Sequence, residues 1–198
     1  MEELAPGLRR WTAHHPDWDE QVASAAVETE DGLVVIDPLA PPPELEADHV
    51  LLTVYWHARS TPQLGRARVW APARSATPLR NRGIEVTDAV RGGDALPGGI
   101  EAIQTARAAE LVFRLPRQRA VVVGDVLLGA GAKPHATRDP LRLCPEGWLG
   151  KRTHDDLRAS LRPLLDVPPE LVLVSHGEPV LRGARRALER ALAPHGER

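Results

Sequence analysis

Four short apolar runs, each ending in polar residues, constrain this chain more than any other feature. They are Leu33-Val34-Val35-Ile36 before Asp37-Pro38, Val50-Leu51-Leu52-Thr53-Val54 before Tyr55, Ala120-Val121-Val122-Val123 before Gly124-Asp125, and Leu171-Val172-Leu173-Val174 before Ser175-His176-Gly177. A strand with one wet face alternates apolar and polar residues. A run without that alternation reads as a strand buried on both faces.

The segments between these runs complete a mixed pattern of strands and amphipathic stretches. Val22 to Glu28 reads as a strand, and Glu30-Asp31-Gly32 is a tight-turn sequence leading into Leu33. Ala67 to Ala71, Ile100 to Ile103 and Leu111 to Leu115 read as further strands, while Pro41-Pro42-Pro43 cannot extend a sheet. Ser60 and Pro62 suit the start of a short helix over 60–66, and a second short helix is predicted over 77–82. Thr153 and Asp156 form a capping-box pattern at the start of a helix over 154–166, whose apolar stripe is Leu157, Leu161, Leu164 and Leu165. A last helix is expected over 183–192. His14-His15-Pro16 reads as an N-terminal loop, with Trp11 and Trp18 packing that segment down. Residues 130–148, rich in Gly and Pro, read as one long loop. With no tandem repeat and no linker, one domain over 1–198 is expected.

Composition excludes several classes. A chain of 198 residues, 42% hydrophobic, can bury a substantial core. A net charge of -2 lacks the basic excess of a general nucleic-acid binder. No apolar run approaches the ~20 residues that span a bilayer, and MEELAPGLRRW has no apolar core of the signal-peptide kind. A lone cysteine, Cys144, excludes an intrachain disulfide and a cysteine-based zinc cluster. A cytoplasmic location is the expectation.

The runs and their endings carry a resemblance. DGLVVIDP at 31–38, HVLLT at 49–53, VVVGDVLLG at 121–129 and LVLVSHGEPV at 171–180 stand in the order and spacing of successive strand-end motifs. In this the chain resembles the metallo-β-lactamase superfamily from about Val22 to Leu192. The resemblance implies an α/β (α+β) fold, a four-layer αββα sandwich with its active site at the edge where strand ends meet. It also implies hydrolysis of esters, amides, thioesters or phosphodiesters at a metal centre, usually zinc.

The residues that would hold such a metal are largely replaced. The family's His-x-His-x-Asp-His box, aligned on Thr53, falls on Val54, Trp56, Ala58 and Arg59, with His57 at a spacer position. The turn that would supply the next histidine reads Thr105 to Glu110 and has none. The aspartate and last histidine of the pattern correspond to Asp125 and His176. Zinc needs three or four donors at about 2.0–2.3 Å, so no metal or other cofactor is expected. Zinc is admitted only at a reorganised site on His57, Asp125 and His176. Arg59 carries a fixed positive charge and is expected to replace the metal's charge by pairing with Asp125. Asp37, before Pro38, is expected to hold its loop.

Three functional readings follow. In the first, the former cleft binds a small anionic or polar molecule, with Arg59 and Arg107 supplying charge, Trp56 an apolar wall, and Asp125 and His176 polar contacts. Cys144, in the long loop, is a further candidate for that pocket. In the second, the chain is a hydrolase of an ester, lactone or thioester with a metal-free or single-metal site, in which His57 or His176 is the base and Asp125 orients it. In the third, it is a structural or interaction module. Neither nucleic acid nor a membrane is an expected partner.

Overall fold

The computed structural model describes residues 1–194, so the last four residues of the expected 1–198 domain lie outside the described residues. Its first sheet holds β1 (Glu2–Ala5), β2 (Leu8–His15), β3 (Glu20–Thr29), β4 (Gly32–Ile36), β5 (His49–Leu51), β6 (Arg68–Pro72) and β7 (Asp88–Val90), side by side in chain order. The pairs from β1 to β4 are antiparallel, and those from β4 to β7 are parallel. The second sheet uses β8 (Ala95–Leu96), β9 (Ile100–Gln104), β10 (Leu111–Leu115) and β11 (Ala120–Val123). A separate ribbon follows, β12 (Leu127–Gly129) with β13 (Leu141–Leu143). The chain then returns as β14 (Leu171–Val174) to pair in parallel with β11, giving the order β14-β11-β10-β9-β8.

The unalternating runs have a direct physical cause, because each central strand is buried on both faces. From β4, Val34 and Ile36 point into the core between the sheets and Val35 into an outer core. From β11, Ala120 and Val122 join the middle core, while Val121 and Val123 join the opposite outer one. The middle core is centred on Phe113, Leu111 and Leu51. On the first sheet's outer face, α1 (Ala76–Arg80) and two short 3-10 turns pack Leu79, Leu64 and Ala58 against Val50 and Val69. On the second sheet's outer face lie α2 (His154–Leu161), α3 (Pro163–Asp166) and α4 (Ala184–Ala191), which contribute Leu157, Leu164 and Leu188. Helices outside, two sheets inside: this is the four-layer αββα sandwich.

Several expectations are corrected. His14 and His15 end β2 rather than forming a loop, and β1 and β2 were not predicted. The helix over 60–66 is a 3-10 turn, Thr61–Leu64. The helix over 154–166 has the expected capping box but breaks at Pro163, whose ring removes the N–H that a continuous helix needs. Residues 130–148 include β13 and a 3-10 turn, Glu146–Leu149. Among the described residues no helix is long and apolar enough to cross a membrane.

Two cross-sheet bridges define one edge of the sandwich. Val22 of β3 pairs with His176, and Val54 pairs with Glu110. Ala23 N–H also donates to the Ser175 carbonyl (2.9 Å), and Leu111 N–H to the Thr53 carbonyl (2.8 Å). The strand ends of both sheets are therefore tied together where the polar residues collect.

Candidate functional site

Asp37, at the end of β4, sits in the left-handed region with φ of 51°, which aspartate tolerates better than most residues. That turn sends its carboxylate under the end of the neighbouring strand. Oδ1 accepts Thr53 N–H (2.8 Å), and Oδ2 accepts the Thr53 hydroxyl (2.5 Å). His57 Nδ1 lies 2.9 Å from the same Oδ2. Since Asp37 is the acceptor, His57 carries the proton on Nδ1 and turns Nε2 away from Asp37.

That orientation depends on a tight turn. Residues Tyr55–Ala58 form a 3-10 turn, with His57 N–H on the Val54 carbonyl at 3.1 Å. It folds His57 back into the protein, where its side chain is fully buried. His57 Nε2 then lies 3.0 Å from Asp125 Oδ1. From the other sheet, His176 Nε2 lies 3.3 Å from the same oxygen. His176 Nδ1 faces Glu20 Oε2 at 3.2 Å, and the ring stacks on Trp18 with centroids 4.8 Å apart.

Asp125 is fixed from behind. Its Oδ2 accepts the Trp56 indole N–H at 2.7 Å. Its backbone N–H, and that of Val126, donate to Glu110 Oε1 at 2.7 and 3.0 Å. Gly124 makes this possible, because a Cβ there would lie 2.7 Å from both Glu110 Oε1 and Thr53 Oγ1. Gly177 is required for a similar reason: it has φ of 83°, and a Cβ would lie 2.7 Å from the Gly129 and Ala130 carbonyl oxygens.

Three atoms thus converge, His57 Nε2, Asp125 Oδ1 and His176 Nε2, all within 4.8 Å of one another. They are close, yet none makes an aligned hydrogen bond. With both Nδ1 atoms turned to carboxylates, neutral imidazoles would present two lone pairs to a carboxylate oxygen. Such an arrangement needs a cation at its centre, either protons or a metal ion. The donor chemistry fits a metal. Two imidazoles and one carboxylate suit zinc or iron(II). Donors bonded at about 2.1 Å sit roughly 3–3.5 Å apart, and the two separations from Asp125 fall in that range. A carboxylate behind each imidazole is the support that metal-bound histidines ordinarily have.

Charges respond accordingly. Burial and the Arg59 charge both work to lower the His57 pKa, but Asp125 and Asp37 outweigh them and raise it to about 9. Burial alone would raise Asp125, yet the His57 charge and His176 hold it well below the usual carboxylate range. Burial, then the Asp125 charge, push Glu110 up to about 7 despite Arg107, whose Nη1 is 2.9 Å from Glu110 Oε2.

Asp125 lines a cleft of about 900 Å³, with His57 and His176 buried behind it. Trp56, Arg59 and Arg107 line the same cleft. Trp56 is more than the expected apolar wall, because it also holds Asp125. Arg107 lies over the Trp56 ring, 4.7 Å from its centroid. Two expectations are corrected. Arg59 makes no ion pair with Asp125. The two histidines face Asp125 Oδ1 and Trp56 donates to Oδ2, and no guanidinium reaches ion-pairing distance. Cys144 does not line the cleft. It packs fully buried in the core beneath α2, and burial pushes its thiol up to about 12. Asp37, beyond holding its loop, orients His57. Glu20, Glu110 and the Trp18–His176 stack were not foreseen.

Solved structures resemble this chain over nearly its whole length. A metallo-β-lactamase from Hirschia baltica aligns with a TM-score of 0.69, over 96% of this chain and 94% of that one, at 13% identity. An archaeal metallo-β-lactamase superfamily protein from Sulfolobus tokodaii gives 0.66, over 94% and 84%, at 17% identity. TTHA1623, solved in a di-iron-bound form, gives 0.61, over 93% and 98%, at 22% identity. No family model matches the sequence, and no curated protein sequence does. The chain has the metallo-β-lactamase fold.

Proposed function

We propose that this protein is a hydrolase of an ester, lactone or thioester that works with a single divalent metal ion held by His57, Asp125 and His176. One observation carries the reading: three buried donor atoms converge within 4.8 Å, none of them in an aligned hydrogen bond. The di-iron form of one fold relative is consistent with it.

When bound there, a divalent ion supplies Lewis acidity and activates water for attack on a carbonyl. The chain's own residues do the rest. Asp37 and Glu20 hold the two imidazoles with Nε2 facing inward. Trp56 and the backbone contacts to Glu110 keep Asp125 from rotating. His57 gives up its Nε2 proton for the ion to enter. In hydrolysis, water oxygen joins the acyl carbon, the bond to the leaving oxygen or sulfur breaks, and a water proton ends on the leaving group.

The test is metal content beside turnover. Protein purified with zinc, iron or manganese supplied should hold close to one ion per chain, lost in His57→Ala, Asp125→Ala and His176→Ala. A panel of esters, lactones and thioesters should give metal-dependent turnover. A metal-free chain that turns over nothing would end this reading.

One observation favours a second reading, a metal-free binding protein. His57 as imidazolium already lies between Asp37 and Asp125, so both carboxylates are compensated without an ion. Ligand-induced thermal shifts without metal or turnover would select it.

A further inference from the structure

We propose that Arg59 anchors a single carboxylate, so that the cleft takes small apolar monocarboxylates and presents the rest of the molecule to His57, Asp125 and His176. The last clause rests on the hydrolase reading. Carboxylate binding by Arg59 does not.

Among the described residues, Arg59 differs from the other arginines of the cleft. Arg107 pairs with Glu110 and lies over Trp56. Arg82 donates to the Tyr55 carbonyl (3.3 Å) and lies over the Tyr55 ring. The Arg59 guanidinium lines the cleft with one nitrogen, Nη1, buried and without a hydrogen-bond partner. No carboxylate comes within ion-pairing distance of it. Arginine cannot shed its proton to escape this situation. A partly buried cation with no partner costs folding free energy, and proteins seldom carry one without a compensating anion. The Asp37 and Asp125 charges act on it only from beyond ion-pairing distance, and no side chain completes its hydrogen bonds, so the anion that fills this place comes from outside. A guanidinium matches the planar fork of a carboxylate, with two parallel hydrogen bonds available.

Charge sets the size of that anion. Arg59 and Arg82 line the cleft without an ion-paired carboxylate, and Asp17 and Asp125 line it with negative charge. A doubly charged phosphate-type group beside Arg59 meets more of that repulsion than a singly charged carboxylate does. Apolar surface sets the remainder. Trp18 and Trp148 stand edge to face on the same cleft, with centroids 5.9 Å apart. Trp18 is 39% exposed, with a hydrophobic surface that a flat apolar substituent would cover.

The test is calorimetric titration of the full chain with three non-hydrolysable probes of similar shape: phenylacetate, its neutral analogue phenylacetamide, and phenylphosphonate. Metal content is measured on the same samples, and titrations are repeated after a chelator. Phenylacetate should bind roughly ten- to a hundredfold more tightly than phenylacetamide, as charged hydrogen bonds allow. The preference should survive the chelator, vanish in Arg59→Gln and persist in Arg82→Gln. Equal binding of acid and amide by the unaltered chain overturns the proposal without any variant. A preference that survives Arg59→Gln, or that disappears with the metal, also overturns it. Tighter binding of phenylphosphonate overturns the monocarboxylate assignment. A metal-free protein that keeps the preference supports the anchor and removes the hydrolase reading. A metal-bearing protein without the preference removes the anchor and leaves the hydrolase reading standing.

Discussion

His57 and Arg59 lie two residues apart in one turn and meet opposite fates. His57 is sealed in, with Asp37 at 2.9 Å from one ring nitrogen and Asp125 at 3.0 Å from the other. Arg59 has a buried nitrogen and no partner. One side chain is over-determined by its neighbours and the other is left open. Buried polar groups are normally satisfied, so the contrast separates a group whose partner is built in from one whose partner must arrive.

The largest effect should come from removing the centre of the sealed side. Asp125→Ala leaves His57 and His176 facing each other without the carboxylate between them, each held only by its own outer carboxylate, Asp37 or Glu20. It should cost about 3–5 kcal/mol, read as a lowered midpoint in denaturant unfolding. An unchanged midpoint would mean that the triad is not held as described.

Proton concentration tests the same cluster in the metal-free protein. His57 has a pKa raised to about 9 from an ordinary 6.5, so its stabilisation is complete below 6.5 and disappears as pH rises through 9. Glu110, raised to about 7 from 4.5, acts with the same sign over a lower window, because the unfolded carboxyl ionises first. Stability after chelation should therefore decline on the order of 3 kcal/mol for His57 between pH 6.5 and 9. Thermal melts across that range check it. Metal affinity should rise over the same interval, since entry of the ion displaces the His57 proton.

Asp37→Asn tests the orientation of His57 without removing it. A weaker acceptor at Nδ1 should reduce metal affinity about 10–100-fold, measured by competition with a chelating dye. Arg59→Met should change stability in the opposite direction. Losing an unpartnered cation should raise stability by about 1–3 kcal/mol, or about 2–4 °C in melting temperature per kcal/mol for a chain of this size. A gain there with a loss at Asp125 would sharpen the contrast, and a loss at both would break it. The smallest effect concerns Cys144, whose buried, protonated thiol should resist alkylating reagents until the chain is denatured.

What the sequence disclosed follows from how strongly each part is buried. The runs at β4, β11 and β14 were legible because both faces of those strands meet apolar neighbours. β1 and β2 were not, since they form the outer side of the first sheet and carry Glu2, Glu3, Arg9 and Arg10. β7 and β8 are three and two residues long, too short for any pattern. In the site, Asp125 and His176 were read from strand ends. His57 was assigned to a spacer because a linear register cannot anticipate the 3-10 turn that swings it inward. Glu20 lies 156 positions from the histidine it holds, and nothing local marks it. The expected pairing of Arg59 with Asp125 failed because two histidines and Trp56, not a guanidinium, face that carboxylate, which charge complementarity alone does not reveal.

The two bridges that tie β3 to His176 and Val54 to Glu110 bear on how the protein comes into being. Each joins stretches far apart in the chain, and contacts of such separation form late in folding, after the entropy of closing long loops has been met. Asp37, His57 and Glu20 come from the first half of the chain, Asp125 and His176 from the second. A nascent or nicked chain with only one sheet assembled therefore owns no complete ligand set. Metal uptake in this molecule would report that the two halves have docked, and would not serve as the seed around which they fold.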